Sequence, residues 1–405
     1  MLGLHLALAV GAGHSRRMAA PDLERILTID GNRLTLLTEG PARLETLLRL
    51  IDGAKRSLRL LYYTYSADKS GEQVRDALMR AVDRGVAVSL LIDGFGSSRT
   101  PETYFKELRE KGAQFCRFNP SFGRRYVLRN HQKLALADGE AKQATILIGG
   151  FNIEDDYFST NAEGGWRDVG LLVEGPAAAR SVEYYDALMA WALNPRSRLK
   201  TLRAVVRNYS ESEGKLRWQY GGPMQMRSPW ALATIQDLGQ AHDLEMIAAY
   251  FAPMNGMVRR IADIAARGRV RIITASKSDN NATIGAARST YSRLLRRGVH
   301  VFEYDPTKLH SKLLIMDDVV HIGSSNFDIR SLYLNMEMML RIEDPDFAML
   351  LRSYFEHEIC DSQEITITVH RARGGWLQRL RWKIAWFLVT TLDYSVARGL
   401  ALRAR

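Results

Sequence analysis

The chain is one folding unit written twice, and that repetition constrains its architecture more than any other feature. Aligned with itself at an offset of about 180 residues, it returns a series of matches in the same order. Gly40-Pro41 corresponds to Gly222-Pro223, and each pair precedes a strand-like run ending in tyrosine, Ser57 to Tyr65 and Asp243 to Tyr250. A helical segment then leads to Arg84-Gly85 and the strand Val86 to Asp93, matched by Arg267-Gly268 and the strand Val270 to Ala275. Tyr104 to Gly112 and Tyr291 to Gly298 follow, helix patterns stopped by a glycine, each succeeded by a short strand. Strand, helix, strand, helix, strand, given twice, predicts an α/β fold with helices covering the sheets. Residues 195–227, rich in Arg, Ser and Gly, are the expected linker between a first half, 32–194, and a second, 228–361. Residues 1–31 are expected to form a leader, and 362–405 a basic, tryptophan-rich tail.

Chemistry recurs in register with these elements. Each half carries His-x-Lys-x-x-x-x-Asp, as His131, Lys133 and Asp138 and again as His310, Lys312 and Asp317. From the chain's own composition one chance match is expected on the order of 0.02 times, so two in register carry meaning. Both copies sit in runs of strand character, where residues two apart share a face. His131 and Lys133 therefore point together, as do His310 and Lys312. Asp138 and Asp317, at odd offsets, fall on the opposite face or at the strand end and read as structural partners. The remaining histidines, His5, His14, His242, His300, His321, His357 and His370, lack this company and read as structural or surface groups.

A second matched element lies downstream: Ile148-Gly149-Gly150-Phe151-Asn152 and Ile322-Gly323-Ser324-Ser325-Asn326. Small residues let the backbone approach a ligand closely, and an Asn amide donates to a phosphate oxygen. Ser324, at or near the position of Gly150, donates to phosphate or turns the chain. Beyond each Asn comes an acid, Asp168 and Glu337, suited to hold the far ring nitrogen of each histidine and so fix its tautomer.

Together these stretches resemble the phospholipase D superfamily, and within it the bacterial cardiolipin synthases. The matching segments are Arg129 to Tyr157, Trp166-Arg167-Asp168, Tyr250-Phe251-Ala252-Pro253 and Leu309 to Glu337, most of Gly40 to Glu337. The resemblance implies two pseudo-symmetric α/β/α sandwich halves with the active site at their interface. It carries over His131, Lys133, Asp138, His310, Lys312 and Asp317 as the catalytic set. Asn152, Asn326, Ser324, Asp168 and Glu337 become phosphate-binding or orienting residues. One histidine, His131 by resemblance, attacks phosphorus and forms a phosphohistidine, while the other protonates the leaving alcohol and later activates the incoming hydroxyl. Neither cofactor nor metal is expected. The implied activity is phosphatidyl transfer between phospholipids, phosphatidylglycerol among them. Hydrolysis by a phospholipase D, and phosphodiester cleavage of nucleic acid, are the alternatives.

Charge favours lipid over nucleic acid. Lys and Arg outnumber Asp and Glu 56 to 45, a formal +11, which points to an anionic partner. Residues 371–405 hold eight cations and one acid, together with Trp376, Trp382 and Trp386. An excess gathered beside tryptophans suits an anionic membrane surface better than a groove for nucleic acid, although one helical face does not hold all the apolar residues. Packing of this helix on the body or a partner subunit is the other reading. The apolar runs Met1 to Gly13 and Ile384 to Leu392 are shorter than the roughly 20 residues a bilayer requires, so membrane contact is expected to be peripheral, at the cytoplasmic face of the bacterial inner membrane. Only Cys116 and Cys360 occur, which excludes a disulfide framework and reads as intracellular.

Overall fold

Strands of three to seven residues, most of them rich in Leu, Ile and Val, build two mixed sheets of eight strands among the described residues, one around each repeat. The computed structural model describes Leu23 and residues 25–120, 128–141 and 143–392. The first sheet runs Leu27–Ile29, Asn32–Leu37, Gly170–Glu174, Thr145–Gly149, Leu134–Ala137, Ser57–Tyr62, Ala87–Asp93 and Gln114–Phe118. In the second, Leu216–Gly221, Glu337–Glu343, Val319–Gly323, Lys312–Met316, Leu244–Ala248, Val270–Ala275, His300–Tyr304 and Ser362–Glu364 lie side by side. Seven strands correspond one to one. In each sheet the three joined by helical crossovers are parallel, and the motif strand with its neighbours is antiparallel. Crossovers require parallel neighbours, whereas the short link through Asp317 and Asp318 turns the chain straight back.

Strand residues alternate between two cores, so both faces of each sheet are covered. Leu60, Leu90, Ala135 and Leu147 pack outward beneath helices Gly40–Gly53 and Lys69–Asp83. Leu61, Leu91, Leu134 and Leu136 enter a core shared with Leu313, Ile315, Val320 and Ile322 of the second sheet and with helices Val182–Leu193 and Pro345–Cys360. Met246, Ile272 and Leu314 close the outer core of the second half under helices Pro229–Gln240, Asn255–Ala265 and Asn281–Leu295. One continuous core therefore ties the halves together.

Three segments expected to be peripheral are structural. Residues 195–227 carry helix Leu199–Tyr209, which buries Leu199, Leu202, Val205 and Val206, and strand Leu216–Gly221 at the sheet edge. Their polar content is the solvent face of an amphipathic helix. The end of the proposed leader forms strand Leu27–Ile29, paired to Asn32–Leu37 through Asp30 and Gly31, both left-handed at φ +46 and +72. An Asp-Gly pair between apolar strands is a hairpin signal. The proposed tail supplies strand Ser362–Glu364 and helices Ile367–Arg373 and Trp376–Phe387, the last packed on helix Asn281–Leu295. Most of the leader, and Asp393, Arg398, Arg403 and Arg405 of the tail, lie outside the described residues.

Candidate active site

The two motif segments meet because each leaves its own sheet and bridges to the other half. Asn130 pairs with Met336, where the His131 amide donates to the Met336 carbonyl at 2.9 Å. Symmetrically, Arg167 pairs with Leu309, and the His310 amide donates to the Arg167 carbonyl at 2.7 Å. These bridges set each histidine beside the acid of the opposite half. His131 Nδ1 lies 3.1 and 3.2 Å from the Glu337 carboxylate oxygens, and His310 Nδ1 lies 2.7 Å from Asp168 Oδ2. The carboxylates hold Nδ1, so Nε2 of each ring is left for chemistry.

The two pairs differ. Asp168 is fully buried, yet although burial alone would raise its pKa, His310 at 2.7 Å holds it below the usual carboxylate range. Its other oxygen accepts the Val169 amide at 2.8 Å. Burial pushes Glu337 up to about 7, against the opposing pull of Lys133. Ser324 Oγ donates to Glu337 Oε2 at 2.5 Å and accepts the Met338 amide at 3.0 Å, so its proton is committed to orienting the carboxylate. At Gly150 the equivalent space is taken by Asp168 itself: a Cβ there would sit 2.8 Å from both carboxylate oxygens and 3.0 Å from the His310 carbonyl.

Burial disfavours the charged form of every basic group in the site. Burial, with Lys133 and Lys312 close by, drives His131 well below the ordinary histidine value, and burial and Lys312 bring His310 to about 3. Desolvation likewise lowers Lys133 to about 7 and Lys312 to about 8. Both ammonium groups donate back to the carbonyl of their own motif histidine. Four basic side chains and two carboxylates are thus gathered in one buried pocket, with basic groups in excess, which suits an anionic phosphate. Asn152 is buried, accepting the Thr64 amide at 3.1 Å and donating to Tyr157 Oη at 3.1 Å. Asn326 is also buried, and among the described residues its Oδ1 has no hydrogen-bond donor. Among the described residues no three His, Cys, Asp or Glu side chains gather as a metal ligand set.

Asp138 and Asp317 do not reach this pocket. Each ends its strand in the left-handed region, at φ +50 and +48, and accepts backbone amides: Lys55, Arg56 and Ser57 for the first, His242 and Asp243 for the second. Extended chain over the seven intervening steps covers about 20 Å, so they belong to the far end of the strand and are removed from the chemical set.

Several site residues carried no signal of role in the motif alone. Tyr157 and Trp166 pack on His310 with ring centroids 4.9 and 5.4 Å away, and Tyr157 Oη lies 3.5 Å from His310 Nε2. Tyr63 meets His131 edge-on at 4.9 Å. Arg43 is buried and donates to the carbonyls of Thr38, Tyr157 and Asp168, fixing the loop that presents Asp168. Arg167, between the two site loops, is clamped by buried Glu358 and by Glu39. A charged residue on the apolar face of helix Gly40–Gly53, beside Thr46, Leu47 and Leu50, was the legible sign for Arg43.

Comparison with known proteins shows the family and the fold. A family profile described as "Cardiolipin synthase, PLD-like domain" matches residues 47–183 and 234–359, one segment in each half. Cardiolipin synthase A of Pseudomonas aeruginosa (strain LESB58) is 29% identical over 390 residues, 94% of this chain and 77% of that protein. Major cardiolipin synthase ClsA of Bacillus subtilis (strain 168) is 30% identical over 361 residues, 86% of this chain and 73% of that protein. Among solved structures, phosphatidylserine synthase of Haemophilus influenzae Rd KW20 shares the fold, with a TM-score of 0.66 at 16% identity, covering 92% of this chain and 95% of that one.

Proposed function

The chain belongs to the cardiolipin synthase, PLD-like domain family, and from that premise we propose how its two halves divide the work of phosphatidyl transfer between phospholipids. The observation that carries the reading is the pair of histidines, each with Nδ1 held by the carboxylate of the other half, around buried lysines, with Nε2 of His310 meeting the Tyr157 hydroxyl at 3.5 Å. His131 Nε2 attacks phosphorus of phosphatidylglycerol, forming a P–N bond as the P–O bond to glycerol breaks. His310, protonated on Nε2 and supported by ionised Asp168, gives that proton to the departing glycerol oxygen. In the second step neutral His310 takes the proton of an incoming lipid hydroxyl, whose oxygen attacks phosphorus and expels His131. The carboxylates suit this assignment: Asp168, facing His310, is held below the usual carboxylate range while Glu337, facing His131, is pushed up to about 7, so the imidazole beside the more firmly ionised carboxylate is the better proton carrier.

Lys133, Lys312 and the Asn152 and Asn326 amides surround the phosphate oxygens. Each such preorganised donor contributes about 3 kcal/mol by the measure of oxyanion-site deletions. Binding the anionic phosphodiester brings negative charge to the two lysines and raises the basicity of both histidines. Among the described residues no helix is long and apolar enough to cross a membrane, and we place the enzyme on an anionic membrane surface, at the cytoplasmic face of the bacterial inner membrane.

The test is direct. Purified protein incubated with phosphatidylglycerol, alone and with phosphatidylethanolamine, is expected to yield a lipid with two phosphatidyl groups by mass spectrometry, and His131→Ala and His310→Ala are expected to yield none. Phosphatidic acid as the only product would make the enzyme a hydrolase, and cleavage of DNA or RNA with no lipid turnover would overturn the lipid reading.

A further inference from the structure

Helix Trp376–Phe387 has two apolar faces, one packed on the body and the other exposed among the described residues. Trp382 is buried, stacked on His370 at 5.2 Å and set against Gly285, where an added Cβ would already lie 3.0 Å from Ala385 Cβ. Trp386 Nε1 reaches the Pro253 carbonyl at 3.4 Å. On the opposite side Trp376, Leu377, Leu380, Ile384, Phe387 and Leu388 are between 44% and 75% exposed. At 100° per residue these six fall within a stripe about 120° wide. Exposed Arg381 and Lys383 border it, one on each side.

The surroundings extend the same chemistry. A cavity of about 350 Å³ beside the helix is lined by Lys383, Trp386, Phe387, Asn255 and Arg293, and a neighbouring one by Arg259, Arg293 and Arg297. Among the described residues no acidic side chain lines either. Arg293 is exposed, with its guanidinium donating to Asn255 Oδ1 at 2.7 Å. An exposed apolar stripe bordered by cations, next to hollows lined by arginine, matches the layering of an anionic bilayer: acyl chains below, phosphates at the rim.

We propose that this helix lies in the surface of an anionic membrane, its apolar stripe inserted and Arg293 and Lys383 taking lipid phosphates. The Trp386 contact ties it to the segment Tyr250-Phe251-Ala252-Pro253, whose Tyr250 ring stands edge-on to His310 at 6.4 Å. The docking face is thereby joined to the wall of the active site. This reading rests on a lipid substrate, and the experiment separates the two. The full chain is sedimented with vesicles of phosphatidylcholine, with and without phosphatidylglycerol, and turnover is measured on a monomeric short-chain phosphatidylglycerol.

Leu380→Glu with Ile384→Glu is expected to lower vesicle binding roughly tenfold or more, with the thermal midpoint and monomer turnover kept. Lys383→Glu with Arg293→Glu is expected to weaken binding to anionic vesicles by about fivefold per cation removed, leaving neutral vesicles unaffected. Wild-type binding by the Leu380/Ile384 variant would overturn the proposal. So would a change in that variant from a larger assembly to monomers by sedimentation velocity, which would assign the stripe to a second copy of the chain. If the wild type turned over no phospholipid, the functional reading would fail, and vesicle binding would still decide this one.

Discussion

The unequal carboxylates make their amide variants unequal, in a direction the hydrogen bonds dictate. Asp168 has both oxygens committed as acceptors, Oδ1 from the Val169 amide at 2.8 Å and Oδ2 from His310 Nδ1 at 2.7 Å. Asparagine has one oxygen. If its NH2 faces Val169, a buried amide is left without an acceptor, which costs about 1 to 3 kcal/mol. If the NH2 faces His310, Nδ1 must accept, the proton moves to Nε2, and the ring is held in the wrong tautomer with no anion to support its cation. Carboxylates that orient a catalytic histidine lose about 10³- to 10⁴-fold in kcat on amidation, or about 4 to 5.5 kcal/mol.

Glu337 can accept the same change more easily. Both of its oxygens lie within 3.2 Å of His131 Nδ1, so the one oxygen of glutamine still serves the ring. Its NH2 then meets Ser324 Oγ, which accepts it on a second lone pair once the rotatable hydroxyl proton has turned away from the amide. Glu337, with its pKa near 7, is also partly neutral at working pH, so less charge is removed. Glu337→Gln should therefore cost about 10- to 100-fold, the usual range for an orienting partner. Both variants are assayed for kcat on phosphatidylglycerol by mass spectrometry, with a thermal melt to confirm folding. A loss in folded Glu337→Gln equal to or greater than that in Asp168→Asn would refute the reasoning, and with it the division of roles between the histidines.

Two further outcomes follow from the same geometry. On a phosphodiester with a 4-nitrophenol leaving group, which departs without a proton, His310→Ala should recover most of its activity in the first turnover while His131→Ala stays inactive; the reverse order of rescue would exchange the roles. Affinity for a singly charged, non-reacting dialkyl phosphodiester should be greatest below pH 7 and fall as pH rises through the free-site values of Lys133, about 7, and Lys312, about 8. Binding reprotonates these lysines, so the loss approaches about tenfold per pH unit for each, and calorimetry showing flat affinity from pH 6 to 9 would contradict that sign.

The repeat made both sheets and the motif residues legible, because register and alternation are local properties of a strand. What escaped the sequence was of three physical kinds. Segment 195–227 looked like a linker since a helix half in solvent carries polar residues by necessity, and its apolar spacing at Leu199, Leu202, Val205 and Val206 was the stronger cue. The exposed stripe of helix Trp376–Phe387 was hidden for the opposite reason: apolar residues on two faces blur a single amphipathic pattern, as Trp382 on one side and Leu380 on the other illustrate. The third kind is the pairing of histidine and acid. Each acid follows its own half's histidine along the chain, but the bridges Asn130 to Met336 and Arg167 to Leu309 exchange them, and no local property encodes a contact made 206 residues away.

That exchange bears on how the site is assembled. Neither motif histidine is oriented by an acid of its own half, so an isolated half would present that imidazole free to choose its tautomer and a carboxylate without its histidine. The shared core of Leu61 and Leu134 with Leu313 and Ile315 is therefore coupled to catalysis, because separating the sheets would break both Nδ1 contacts together. The protons that move during transfer and the apolar surface that joins the repeats depend on one interface.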